Sequence, residues 1–146
     1  MENPKIIDIL VIEDNSEEIT LIAKAIDINK WNVTFNSVKD SIEAMNYLYK
    51  KGKYKNCKTP SIILLDLNLP KKSGFEVLKE IKTDTILKLI PVIVLANSDD
   101  NNDVIKSYDL HANAYITKPM DCAEFTKYMH TFKEFWLNAQ LPQGLI

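Results

Sequence analysis

Cysteine is scarce in this sequence. Cys57 and Cys122 are its only two, set far apart with no CxxC pair and no histidine spacing around them. That excludes a disulfide framework or thiolate metal site and reads as free thiols in a reducing compartment. His111 and His130, the two histidines, have no ligand-like companions, so no imidazole metal centre is expected. Long apolar runs are missing as well. The longest reach four to six residues, far short of the ~20 a membrane helix needs. No basic surplus exists, since 18 Lys and Arg face 20 Asp and Glu for a net charge of −2; that argues against general affinity for nucleic acid. The N-terminus leads into an apolar run that Asp8 interrupts and two acids close, a poor secretory signal. Neither membrane nor nucleic acid is an expected partner, and the expected location is cytoplasmic.

No repeat or Gly/Ser/Pro-rich linker divides the 146 residues. A chain of this length fits one domain burying roughly 70% of its unfolded surface. Apolar runs alternate with helical periodicity. Ile7–Ile12 reads as a first strand, and Ser16 can cap a helix carrying Ile19, Ile22, Ala23 and Ile26. Trp31, Val33 and Phe35 alternate with polar residues like an edge strand. Ser37 or Asp40 then starts a helix with Ile42, Met45, Leu48 and Tyr49. The loop Lys50–Pro60 holds five lysines, whose plainest reading is a solvated surface. Ile62–Leu65, ending at Asp66, looks like a central strand covered on both faces. A helix with Val77, Leu78 and Ile81 inward follows. Val92–Ala96 is a fourth strand, Asp99 to Leu110 a fourth helix with Val104 and Tyr108, and Ala114–Thr117 a fifth strand. The last helix carries Phe125, Tyr128, Met129, Phe132 and Trp136. This alternation predicts an α/β fold of right-handed βαβ units, a parallel sheet with helices on both faces.

Such sheets place their sites beyond the carboxyl ends of the strands. Collected from those ends are Glu13, Asp14 and Asn15; Asp66 and Asn68; Ala96, Asn97 and Ser98; and Thr117 and Lys118. Any one of these acids alone is most simply a solvated strand-end carboxylate. Three carboxylates and a lysine meeting on one rim are harder to explain that way. Gathered carboxylates raise one another's pKa values unless a cation joins them. All the candidate ligands are oxygens, which selects a hard cation and fits Mg²⁺ better than a Ca²⁺ cage. A metal and an ammonium around one carboxylate make a receptor for a phosphoryl group.

The stretches ILVIEDN (Ile9–Asn15), IILLDLNLPKKSGFEVL (Ile62–Leu78), IPVIVL (Ile90–Leu95) and AYITKP (Ala114–Pro119) resemble a response-regulator receiver domain of the CheY-like superfamily. The resemblance covers about Ile6 to Trp136. It implies a doubly wound (βα)5, flavodoxin-like fold with five parallel strands in the order 2-1-3-4-5. It implies Asp66 as phosphoacceptor, Glu13 and Asp14 as Mg²⁺ ligands together with Asp66, and the backbone carbonyl of Asn68 as a further ligand. By the same resemblance Lys118 contacts a phosphoryl oxygen, the Lys118–Pro119 bond is cis, and Tyr115 is the aromatic switch. The family's phosphatase and FMN-binding neighbours in architecture fit less well. The former place a second acid two residues after a nucleophile that follows strand one, and the latter want a Ser/Thr/Gly-rich loop there.

One position departs from the pattern: Ala96 stands where the family has Ser or Thr. That hydroxyl donates to the phosphoryl group, and a hydrogen bond to a charged group is worth about 1.5–3 kcal/mol. A switch-impaired receiver, acting as a phosphorylation-independent interaction module or phosphate sink, is therefore the alternative reading. Residues 1–139 are expected to form the receiver and 140–146 a tail, with no output domain and no activity beyond the protein's own phosphorylation and dephosphorylation. Signal output would then pass through protein contacts. Phe135 lies off the main stripe of the last helix; the plainest reading of that aromatic end is core packing, and the alternative is a self-association or partner surface there. The basic loop before strand three, SYDLHANAYITKP and the FWL…LP tail resemble the single-domain regulators paired with phytochrome-type histidine kinases. That resemblance implies a histidine kinase or phosphotransfer protein as donor, and a homodimer through helix 4, strand 5 and helix 5.

Overall fold

A computed structural model describes residues 7–118, 121–142 and 145. Its strands are β1 (Ile7–Ile12), β2 (Val33–Val38), β3 (Ile62–Asp66), β4 (Val92–Ala96) and β5 (Ala114–Thr117). Its helices are α1 (Ser16–Ile28), α2 (Ser41–Leu48), α3 (Gly74–Thr83), α4 (Asn101–Asp109) and α5 (Cys122–Asn138). All strand pairs are parallel and the sheet order is β2-β1-β3-β4-β5.

Side chains alternate across a strand, and that alternation divides the core in two. Leu10, Ile12, Ile63, Leu65, Val92 and Val94 face α2 and α3, where they meet Met45, Leu48, Val77, Leu78 and Ile81. Ile7, Ile9, Val11, Ile62, Leu64, Ile93 and Leu95 face α1 and α5, meeting Ile22, Ile26, Phe125 and Met129. Both faces of β3 are buried along its whole length, as a central parallel strand requires. Trp31 lies just outside β2 and packs edge-on against Phe132 at 5.6 Å, tying α5 to the end of α1.

The helix starts refine the sequence expectations. Asn15, not Ser16, caps α1, its side chain accepting from the amides of Glu17 and Glu18. Asp40 rather than Ser37 caps α2. Two helices depart in part from the expected stripes, although Met45 and Leu48 of α2 are buried as expected. Ala44 and Tyr47 are buried in α2 while Ile42 and Tyr49 are exposed, and Ser107 is buried in α4 while Tyr108 is exposed.

With only three glycines in the chain, three helices end on a left-handed residue that is not glycine. Lys30, Lys50 and His111 have φ of 52°, 57° and 72°. In each case the amide one residue later reaches back to a last-turn carbonyl: Trp31 to Ile26, Lys51 to Asn46 and Ala112 to Ser107. These are Schellman closures without the usual glycine.

Candidate functional site

Sheet register decides which polar residues meet. Ile12 pairs with Leu65 and Asp66 with Leu95. The turn after β1 therefore delivers Glu13 beside Asp66, at the carboxyl edge of the two central strands. Ala96 pairs with Thr117, and the Ala96 carbonyl accepts the Lys118 amide at 2.7 Å. This carries the lysine off β5 toward the same edge.

Carboxylate oxygens of Glu13, Asp14 and Asp66 lie within 4.8 Å of one another. Glu13 and Asp66 are buried and Asp14 is exposed. The Lys118 ammonium sits 2.9 Å from Glu13, 3.3 Å from Asp66 and 2.5 Å from Glu18. Asn68, on the exposed side, gives its backbone amide to the Asp66 carboxylate. The Asn15 amide donates to Glu13 at 3.2 Å.

Burial dominates the electrostatics. It pushes Glu13 up from 4.5 to about 8, the Glu18 and Asp66 carboxylates adding to the rise and Lys118 offsetting part of it. Burial likewise raises Asp66, against the pull of the Lys118 charge and the Asn68 amide. Lys118 loses solvent too, yet its bonds to Glu13 and Glu18 and the charge of Asp66 hold it firmly protonated. Three carboxylates thus meet one ammonium and Asp14 adds a fourth to the cluster, leaving uncompensated negative charge. The donors are all oxygens, and Asp14 opens the cluster to water. That set fits a hard divalent cation.

Sequence reasoning missed Glu18. The signal was present in the Asn15-x-x-Glu18 spacing of a helix capping box, but nothing local points that carboxylate at Lys118. The Lys118–Pro119 bond lies outside the described residues. Ala96 is buried at the end of β4 and offers no donor from its side chain. Tyr115 reaches over to the loop after β4, its hydroxyl donating to the Ser98 carbonyl at 2.5 Å.

Sheet order, strand-end acids and lysine together define a receiver domain, and the chain belongs to the response regulator receiver domain family, which matches residues 9–130. Among curated relatives, response regulator Rcp1 of Synechocystis sp. (strain ATCC 27184 / PCC 6803 / Kazusa) is 41% identical over 92% of this chain and 90% of its own length. The probable methanogenesis regulatory protein FilR2 of Methanothrix harundinacea (strain 6Ac) is 35% identical over 98% of this chain and 90% of its length. The crystal structure of the phosphorylated cyanobacterial phytochrome response regulator RcpA superposes with a TM-score of 0.89 at 45% identity, covering 95% of this chain and all of that one. The Mn²⁺-bound form of Rcp1 gives 0.86 at 40% identity, over 93% of this chain and 99% of that one.

Proposed function

We propose that the protein is a single-domain response regulator that takes a phosphoryl group onto Asp66 from a histidine kinase or phosphotransfer protein. The observation that carries this reading is the Asp66 carboxylate at the carboxyl end of β3, 3.3 Å from the Lys118 ammonium and inside the Glu13–Asp14 cluster. An Asp66 oxygen attacks phosphorus as the bond from phosphorus to the donor's imidazole nitrogen breaks. The imidazole leaves with the bonding pair, and a mixed anhydride remains on Asp66. Lys118 steadies a phosphoryl oxygen as charge builds. Glu13, Asp14, Asp66 and the Asn68 carbonyl would hold Mg²⁺, which when bound supplies charge neutralisation at the phosphoryl group. The protein acts on no substrate but itself.

Likeness to the cyanobacterial phytochrome response regulator RcpA supports a phytochrome-type kinase as donor and a cytoplasmic location. A homodimer through α4, β5 and α5 is supported by exposed apolar side chains on both helices: Ile105, Tyr108, Tyr128 and Phe135. β5 is an edge strand, and between it and α5 runs an open groove of about 910 Å³ lined by Tyr115, Ile116, Phe132 and Trp136, among others. Exposed apolar surface beside such a groove marks association sites.

Incorporation of label from a small phosphoryl donor with Mg²⁺, on wild type and Asp66→Asn, tests the assignment. Labelling of wild type and none of the variant is expected. Equal labelling of Asp66→Asn would place the acceptor elsewhere.

A second reading is favoured by Ala96, which has no hydroxyl to draw its loop toward a phosphoryl group. In it the receiver serves as a phosphorylation-independent interaction module or a phosphate sink. Wild-type labelling without any change in oligomer size or in the Tyr115 environment would select it.

A further inference from the structure

We propose that Glu18 is a positioning residue that competes with the phosphoryl group for Lys118, restraining the lysine until the acceptor site is loaded. The inference rests on Asp66 being the phosphoacceptor.

A lysine ammonium has three N–H groups and no more. Three carboxylates already lie within reach of it: Glu18 at 2.5 Å, Glu13 at 2.9 Å and Asp66 at 3.3 Å. A phosphoryl oxygen arriving at Asp66 must therefore displace one of them. Asp66 is the acceptor and stays beside the incoming group. Glu13 has a side chain only 3% exposed, so it has no path out to water and stays packed beside Asp14 and Asp66. Glu18 is 30% exposed, and its carboxylate returns to water at small cost. It is the ligand that gives way.

The local geometry shows why Glu18 is available for this. Asn15 caps α1 and accepts from the Glu18 amide at 3.2 Å. In a capping box the glutamate would reach back to the Asn15 amide. Here that amide is taken by Glu13 at 3.2 Å, so the Glu18 carboxylate is free to lie over Lys118. The cap also fixes the start of α1, and hence the face on which Glu18 stands. Below the pair, Leu21, Ile22, Leu95 and Phe125 close a cavity of about 20 Å³ against the lysine and Glu18.

Beryllofluoride, a stable phosphoryl mimic, tests the competition when titrated with Mg²⁺ and read by ¹⁹F resonance on wild type, Glu18→Gln and Glu17→Gln. Glu17 is exposed in the same helical turn and lies outside the three ion pairs of Lys118. Its variant removes the same formal charge without touching the lysine. Glu18→Gln should lower the half-saturating concentration by about two- to five-fold, the range of a partly exposed ion pair; Glu17→Gln should leave it near wild type. With acetyl phosphate as donor, the half-saturating concentration should fall while the maximal labelling rate holds. Unchanged or weaker binding in Glu18→Gln overturns the proposal. An equal gain in both variants also overturns it, since diffuse charge alone would then account for the effect. If wild type neither binds beryllofluoride nor labels, the phosphoacceptor reading itself fails, an outcome separate from the variants' ranking.

Discussion

The Tyr115 hydroxyl donates to the backbone carbonyl of Ser98 at 2.5 Å, so β5 holds the loop that leaves β4 at Ala96. The tie comes from the neighbouring strand, whereas the last residue of β4 contributes only backbone. Tyr115→Phe should therefore free residues 97–100, visible as faster amide exchange there, and cost about 0.5–1.5 kcal/mol. Ala96→Thr, which restores a hydroxyl to β4, should enlarge the response of Tyr115 to beryllofluoride. An identical response would exclude a switch running through that position.

The pH dependence of the metal-free protein should run opposite to ordinary acid denaturation. Burial raises Glu13 from 4.5 to about 8, so between those values the folded state keeps a proton the unfolded chain has released. Stability from this group is full below about 4.5 and is lost as pH rises through about 8. Melting temperatures in EDTA should fall from pH 5.5 to pH 8.5. Added Mg²⁺ should remove the decline, because a cation replaces the proton and releases it on binding. A rise in EDTA would contradict the buried, proton-holding state of Glu13.

Gly74 opens α3 directly behind the acceptor. A Cβ there would overlap the Asp66 carbonyl oxygen and the Leu67 Cα, both backbone atoms unable to swing away. Gly74→Ala should cost about 1–3 kcal/mol, or roughly 2–12 °C in melting temperature, and should slow labelling of Asp66 by shifting its backbone. Wild-type melting and labelling together would mean that the turn absorbs a methyl group.

Helix α4 should gain from a better terminator. His111 closes it at φ 72°, a conformation that costs a non-glycine residue about 1–2 kcal/mol. Part of that gain is offset by the added freedom of glycine in the unfolded chain. His111→Gly should then stabilise the protein by roughly 0.5–1 kcal/mol in urea unfolding. A loss of stability would show that the imidazole contributes more than the backbone strain removes.

Phe135 on α5 is 62% exposed and borders the groove beside β5. Phe135→Glu should weaken the proposed dimer about ten-fold or more in sedimentation, as loss of a central aromatic anchor does. Its melting temperature as a monomer should stay near wild type. A wild type that is monomeric at all concentrations would overturn the dimer.

The alternation of apolar runs with helical stripes determined the architecture, because periods of two and 3.6 residues fit only a strand and a helix. The punctuation at strand ends placed Glu13, Asp14, Asp66 and Lys118 on one edge, since right-handed crossovers bring all those ends to the same side. Local pattern placed part of each helix face and left the rest open, for α2 buries Met45 and Leu48 as expected. α2 buries Ala44 and Tyr47 rather than Ile42, because its inner face is chosen by the α3 side chains and sheet it packs on. The link from Glu18 to Lys118 spans a hundred positions in sequence. It exists only because the Asn15 cap and the β4–β5 register aim two unrelated side chains at one point. The link from Tyr115 to Ser98 arose the same way. Contacts between residues far apart in the chain depend on which surfaces pack, and that was decided only when the sheet closed.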